Sequence, residues 1–571
     1  MTRLRSGLLP LSRSTLAPAK HLAARAPIRL YYPPTTAMAR LRSVLRPLAR
    51  STLAPAKHLP LASIRLSSTS RNTADLKKSP LHDLHIAHGG KMVHFAGYTL
   101  PKKYGRHTAE HSHLFTRKHA SLFDASHMVQ HTFTGPNAAV ALERLTPVDA
   151  KNLSLGHGYP SALLTPTGGI IDDLMVTRVG PEKFHVVSTA ARRATVLDTI
   201  SEGLRTFVGV DWSVEERAGL LSLQGPEAAA VMRMVLTGFE RKWLFFGRAA
   251  YGEIILRDGT LSRDVLISRG GYTGEDGFEI SLVLGQEKAP EDVARELTAI
   301  AEALLEADVP VKVKLAGLTA RQTLRIEAGL CLCGQDTHEN TTPVEAKLSF
   351  IIPKGRREEI MAAEEEAALP QPTEGVERRH VGFTGAEAVL PQLKTKSRGG
   401  EGVKRRRVGL VLTGAEGEGG AAPRGGDEIL SKHGEKLGSV TSGCASPSLG
   451  QNIAMGYVRT GVDAAGADLH ALGTEMYVVL GGERVTAVVT SMPFVETKYH
   501  MGSEFLDVRA ERRREQAERE EKGRVQFEKN MVRAKIKTKT RDEGMALFAE
   551  NEARAAEKAR MKVVNRERFR L

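Results

Sequence analysis

Between residues 161 and 188, three short apolar runs are separated by Pro166-Thr-Gly-Gly169 and Gly180-Pro-Glu-Lys183. No other feature constrains the fold as much. The runs at 161–165, 170–179 and 184–188 have strand length, and the Gly- and Pro-bearing breaks between them carry turn chemistry. The segment therefore predicts an antiparallel meander. A second strand pair, 265–269 and 278–284, is joined by Gly270-Gly-Tyr-Thr-Gly-Glu-Asp-Gly277. From 405 to 494 short strands are again divided by Gly-rich turns, which predicts a small β-barrel.

Helical signals are fewer. Val293, Leu297, Ile300 and Leu304 recur at the helical period behind Pro290, so 291–306 is predicted helical. A second helix is expected over 319–328, with Thr319 and Gln322 in a capping-box pattern and Gly329 as its stop. The His-rich stretch 80–129 reads as loops and strands around one short helix. The class is therefore α+β. Between 356 and 404 the composition shifts, with Glu364-Glu-Glu-Ala-Ala-Leu-Pro-Gln-Pro372 and Ser397-Arg-Gly-Gly-Glu-Gly402 bracketing a linker insertion expected to pack incompletely. The division is then 1–74 leader, 75–355 body, 356–404 insertion, 405–501 barrel and 502–571 tail.

The net charge of +15 invites a nucleic-acid reading until it is located along the chain. Residues 1–74 hold thirteen Lys/Arg and no acid, and residues 502–571 carry a surplus of six cations, which leaves 75–501 near −4. The basic excess belongs to the ends. The first 74 residues, rich in Arg, Ser, Leu and Ala, have the composition of a mitochondrial transit peptide. They also contain a duplication: Ser14-Thr-Leu-Ala-Pro-Ala-Lys-His-Leu22 recurs at 51–59, with Met38 between the copies as a second potential start. No run of about 18 apolar residues marks a membrane span. The three cysteines, Cys331, Cys333 and Cys444, lack the paired spacing of a structural zinc site and read as buried, inert thiols.

Chemistry-bearing residues are few. Asp172 and Asp173 follow the Gly168-Gly169 turn into an apolar strand, where successive side chains face opposite ways. One carboxylate can enter a pocket and do general acid–base work while the other faces water, or both can be ordinary turn residues. Glu279 alternates with the apolar Phe278, Ile280 and Leu282, so it occupies the opposite face of its strand, where it can accept from the N–H groups of a flat heterocycle or simply face solvent on a half-buried sheet. Arg321, in the first turn of its helix, opposes the helix dipole, which suggests a partner elsewhere. There is no P-loop or dinucleotide fingerprint.

Ten blocks together carry a resemblance. They are His88-Gly-Gly-Lys-Met-Val93, Phe95-Ala-Gly97, Leu122-Phe-Asp-Ala-Ser-His-Met128, Gly168-Gly-Ile-Ile-Asp-Asp-Leu174, Gly271-Tyr-Thr-Gly-Glu-Asp-Gly277, Ala320-Arg-Gln-Thr-Leu-Arg-Ile-Glu-Ala-Gly-Leu330, Thr342-Pro-Val-Glu345, Val440-Thr-Ser-Gly-Cys-Ala-Ser-Pro-Ser448, Ala454-Met-Gly-Tyr457 and Ser491-Met-Pro-Phe-Val495. In this order they resemble the T-protein family of the glycine cleavage system. The resemblance implies a three-domain folate-binding fold with a C-terminal β-barrel. It also implies aminomethyl transfer from lipoylated H protein to tetrahydrofolate in the mitochondrial matrix, with release of ammonia and with no metal. Carried over by motif, Asp172 is the catalytic carboxylate, Glu279 and Arg321 anchor the folate, Tyr499 is a C-terminal binding tyrosine, and Met128 lines the pocket. Tyr98 stands where the family commonly has Trp, and the insertion and tail exceed the family's usual length.

Two rival readings are a non-enzymatic folate-binding relative that supports iron–sulfur assembly and an RNA-binding mitochondrial protein. The Asp pair and the full set of blocks oppose the first. The second lacks the aromatic-basic interleaving that base stacking needs.

Overall fold

The computed structural model describes residues 76–237, 244–367, 382–394, 402–413, 421–462 and 468–502; the leader and the charged tail lie outside them. Three sheet bodies carry the architecture. The first is a seven-stranded sheet in the order Leu236–Thr237, Ala249–Ile254, Val265–Arg269, Gly277–Val283, Ala218–Gln224, Ser121–Asp124, Lys314–Leu315, antiparallel except for the last pair. Helices Ala228–Val235 and Pro290–Leu305 pack on it through Val231, Met232, Leu297, Ile300 and Leu304. The helix–sheet contact is close: a Cβ on Gly219 would lie 2.4 Å from Leu297 Cδ2. The 290–305 helix begins on Pro290 as predicted, and Ala289 N donates to Asp292 Oδ2 at 3.1 Å, closing its first turn.

The second body is the predicted meander, Gly158–Leu164, Ile170–Gly180 and Lys183–Ser188, extended by Val129–Thr134 and Asp211–Val214 into a five-stranded antiparallel sheet. Helices Ala138–Leu145 and Arg193–Leu204 cover its core of Phe133, Phe184, Val176 and Val186. The third body is a closed six-stranded barrel, Arg405–Thr413, Gln451–Arg459, Lys436–Ser446, Glu428–Leu430, Glu475–Leu480 and Glu483–Thr490. It lies within the stretch 405–494 where a barrel was expected, and Val408, Leu410, Ala454, Val478 and Val489 fill it. A small sheet of Lys77–Lys78, Tyr98–Tyr104 and Gly90–Phe95 completes the fold. No helix of the described residues is long and apolar enough to cross a membrane.

Helix Leu318–Glu327 sits where these parts meet, and its start differs from the expectation. The N-cap is Gly317, because a Cβ there would come within 2.4 Å of Lys102 O. The Thr319 hydroxyl donates to the same Lys102 carbonyl at 2.9 Å, so a tertiary contact takes it from the capping box. Its end is as predicted: Gly329 takes φ +67° and its N donates to Ile326 O.

The 80–129 stretch holds two helices rather than one, His82–Ala87 and Ala109–Lys118. The second is capped by Thr108, whose hydroxyl accepts from His111 N at 3.0 Å. The 356–404 stretch is better packed than its composition suggests. Ile360, Phe383, Val389 and Leu390 join a buried cluster with Leu164, Ile170 and Ile352, while 368–381 and 395–401 lie outside the described residues.

Candidate active site

The strand Ile170–Gly180 delivers the Asp pair. Its position is fixed at the preceding turn, where a Cβ on Gly169 would overlap Glu339 O at 1.6 Å and Ile170 N donates to Thr341 O at 3.0 Å. Arg192 Nε donates to Ile171 O at 3.2 Å, and its guanidinium pairs with Glu339. Asp172 and Asp173 then face opposite ways, as the strand period requires. Asp172 is fully buried, and both its oxygens are engaged: Thr189 N donates to one at 2.8 Å and Thr189 Oγ1 to the other at 2.6 Å. Asp173 is accessible to solvent.

Burial, and for Asp172 the charge of Asp173, push both carboxyls well above the usual range. Asp173 keeps contact with solvent, although the protein packed around it raises its carboxyl. Cys333 completes the group, with ligand atoms of the three side chains all within 4.8 Å of one another.

Tyr272, from the Gly-rich loop 270–277, links this pair to the expected folate anchors. Its hydroxyl donates to Cys331 O, and the Arg321 guanidinium lies over its ring, 4.9 Å from the centroid. Asp173 and Arg321 both act on it electrostatically, while burial pushes its phenol up. Arg321 therefore has the partners that its position in the helix suggested. Burial lowers its pKa, and the Glu279 charge and Tyr272 oppose that shift. Glu279 is half-buried on Gly277–Val283, with Phe278, Ile280 and Leu282 turned into the core on the other face. Its carboxyl is raised by burial, an effect Arg321 partly offsets.

Two buried donors or acceptors here have no hydrogen-bond partner among the described residues, Arg321 Nη1 and His127 Nδ1. Burial and the Arg321 charge hold His127 down at about 4, so it is neutral, and Phe95 meets it edge-on at 5.5 Å. Met128 follows it, half-buried, in a turn closed by Met128 N donating to Ala125 O. Tyr499 is half-buried and stacked on Phe246 with centroids 4.2 Å apart. Its segment is tied to the same 270–277 loop by Lys498 N donating to Gly274 O at 2.8 Å.

Asp173, Tyr272, Arg321 and Glu279 therefore interact electrostatically, Asp172 is linked to them through Asp173 while accepting two hydrogen bonds from Thr189, and Tyr499 joins through the loop. Sequence reasoning did not single out Tyr272, His127, Thr189 or Cys333. Tyr272 and His127 stand inside two of the quoted blocks, which was the available signal. All three cysteines are unpaired; burial raises Cys331 and Cys444 to about 12 and Cys333 further, which keeps them protonated and unreactive.

Comparison with known proteins bears on this arrangement. Residues 81–356 match the GCVT N-terminal domain, and residues 405–496 match the glycine cleavage T-protein C-terminal barrel domain. A protein of Schizosaccharomyces pombe named probable aminomethyltransferase, mitochondrial, is 36% identical over 440 residues, covering 77% of this chain and 98% of its own. The human protein named aminomethyltransferase, mitochondrial, is 39% identical over 429 residues, covering 74% of this chain and 91% of its own. A crystal structure of the glycine cleavage system aminomethyltransferase T from Bartonella henselae superposes with a TM-score of 0.60 at 35% identity. That match covers 74% of this chain and 99% of that one.

Proposed function

The chain belongs to the glycine cleavage T-protein family, and from that premise we propose how its residues perform aminomethyl transfer, with Asp173 rather than Asp172 handling the proton. The chain is an aminomethyltransferase that uses tetrahydrofolate as co-substrate. The donor is the aminomethyl-loaded lipoyl arm of H protein. The carbon passes to the folate, and ammonia and the dihydrolipoyl protein are released.

The residues present fit a reduced pterin. Arg321 Nη1 is a buried donor awaiting a partner, Glu279 is a half-buried carboxylate beside it, and the neutral His127 offers a further unused ring nitrogen. A buried polar group without a partner costs about 1–3 kcal/mol, so such groups side by side imply a ligand that satisfies them. Glu279 accepts from the amino and ring N–H groups, Arg321 and Tyr272 fix the ring edge, and Tyr499 and Met128 bound the opening.

Bound tetrahydrofolate supplies the nitrogens that bond to the transferred carbon. Their two N–H protons must leave as the C–S and C–N bonds of the donor break, one for the departing thiolate and one for the ammonia. Asp173 is the carboxylate that takes such a proton, a role supported by its exposure and by a raised pKa that brings it close to the working pH, where a general base is most effective. The observation that carries this assignment is the division of labour within the pair. Both Asp172 oxygens already accept from Thr189, whereas Asp173 is exposed and acts electrostatically on Tyr272, over whose ring Arg321 lies. Most of the acceleration comes from holding the reactants in register, which the fixed strand and helix provide.

The leader composition and the mitochondrial names of the relatives support import, with the matrix as the site of action. The test of function is direct. Purified protein, aminomethyl-loaded H protein and tetrahydrofolate should yield ammonia and methylenetetrahydrofolate in equal amounts. Absence of folate-dependent ammonia release would contradict the reading.

A further inference from the structure

Arg117 leaves helix Ala109–Lys118 at the place where the Gly-rich loop 270–277 meets the helix that carries Arg321. Its Nη1 donates to Thr273 O at 2.7 Å and to Glu275 Oε1 at 3.1 Å, both in the loop. Its Nε and Nη2 donate to Glu327 Oε2 at 3.1 and 2.7 Å, and Nη2 also reaches Leu324 O at 3.4 Å, both in the last turn of helix Leu318–Glu327. These contacts engage every N–H group that a guanidinium has. The Arg117 side chain is 9% exposed and that of Glu275 1%, so water cannot stand in for either partner. The second Glu275 oxygen is buried with no hydrogen-bond partner among the described residues, so its charge rests on the Arg117 and Lys498 cations at the first.

Two parts of the pterin site meet at this side chain. The loop carries Tyr272 and the helix carries Arg321, whose guanidinium lies 4.9 Å from the centroid of the Tyr272 ring. That contact spans two elements, so its geometry depends on how the loop is seated against the helix. Gln224 ties the loop to its own sheet, donating to Gly270 O at 3.0 Å and accepting from Thr273 Oγ1 at 2.8 Å. Arg117 ties it to the helix. The segment bearing Tyr499 is drawn into the same knot, since Lys498 Nζ donates to Glu275 Oε1 at 3.3 Å. We propose that Arg117 is a positioning residue for tetrahydrofolate: its planar fork seats the 270–277 loop on helix Leu318–Glu327 and thereby keeps Tyr272 and Arg321 in register. The inference rests on the reading of Tyr272 and Arg321 as the groups that fix the pterin edge. Lysine cannot replace the fork, because a single ammonium does not span the loop carbonyl and the helix carboxylate together.

The test is calorimetric titration of the full chain with tetrahydrofolate for Arg117→Lys, Tyr272→Leu and the double variant, with saturated turnover measured alongside. Arg117→Lys should raise the Kd for tetrahydrofolate roughly 10-fold, as for residues coupled through one network. Turnover at saturation should stay within about 3-fold, because the strand that carries Asp173 is not held by Arg117. In the Tyr272→Leu background, where the loop has lost its pterin-facing side chain, Arg117→Lys should cost less than about 3-fold in Kd. If Arg117→Lys does not fold, Glu275→Gln takes its place: it loosens the loop arm, leaves the Glu327 arm intact and should follow the same pattern at about 3-fold. A Kd that stays at the wild-type value while only the melting temperature falls would make Arg117 a purely structural residue and overturn the inference. A cost that persists in full beside Tyr272→Leu would overturn it as well. If Tyr272→Leu binds tetrahydrofolate as wild type does, the underlying reading of the pterin site fails; if it binds weakly and Arg117→Lys binds normally, only the role of Arg117 fails.

Discussion

Replacing Glu327 with Gln probes the joint on which the site hangs. Glu327 closes the helix that carries Arg321, and its side chain is fully buried. One oxygen receives Arg117 Nη2 at 2.7 Å, Arg117 Nε at 3.1 Å, His113 Nε2 at 3.0 Å and Ser448 Oγ at 2.8 Å. The other receives Ser446 Oγ at 2.5 Å and Ser448 N at 3.0 Å. One carboxylate thus ties the central helix to helix Ala109–Lys118 and to the barrel. Its backbone carbonyl also accepts from Phe494 N, at the root of the segment bearing Tyr499.

Burial alone would raise its pKa, but the His113, Ser446 and Arg117 contacts outweigh it and hold the carboxyl at about 2, against 4.5 unperturbed. A folded-state pKa below the unfolded one stabilises above the unfolded value and is lost as pH falls through the folded one. The depression is worth about 3 kcal/mol at neutral pH. Breaking a buried ion pair by removing one partner gives a similar 3–5 kcal/mol. Glu327→Gln should therefore lower unfolding free energy by about 3 kcal/mol in urea titrations followed by circular dichroism near pH 7.5. The gap to wild type should narrow as pH falls below about 4.5. A loss under about 1 kcal/mol, or a gap that widens in acid, would refute the reasoning.

Two further outcomes follow from the same structure. Glu279→Gln should weaken tetrahydrofolate by about 1.5–3 kcal/mol in calorimetric titration with little change in turnover at saturation, as expected for a lost charge-assisted hydrogen bond. The organelle protein should begin between Ser63 and Asp75, after the second leader copy; N-terminal sequencing that finds Met1 or Met38 would contradict the import reading.

Local periodicity made much of this fold readable. The meander, the 265–283 strand pair and the 290–305 helix depend on patterns of two or 3.6 residues, which the sequence displays openly. Tertiary competition was not readable. Thr319 is a good cap in isolation, yet Lys102, over two hundred residues away, takes its hydroxyl and leaves Gly317 as the cap. Helix Ala109–Lys118 was obscured because its buried face is largely His113 and Thr116, which an apolar count does not register.

The site shows the same limit. Strand alternation placed Asp172 and Asp173 on opposite faces, but which of them is buried depends on tertiary partners such as Thr189, seventeen positions on. Cys333 was read as a buried, inert thiol, but its place beside the Asp pair was not readable, since its partner Ile171 lies 162 residues away.

The most direct test of the account compares aminomethyl transfer by Asp173→Asn and Asp172→Asn under saturating tetrahydrofolate. Asn preserves size but neither charge nor basicity. Asp173→Asn should lower turnover by roughly 10²–10⁴-fold, the range for a positioned acid or base, with folate affinity changed far less. Asp172→Asn should cost mainly stability, through the lost Thr189 contacts. An inactive Asp172→Asn beside a fully active Asp173→Asn would contradict the assignment and return the proton to the buried carboxylate.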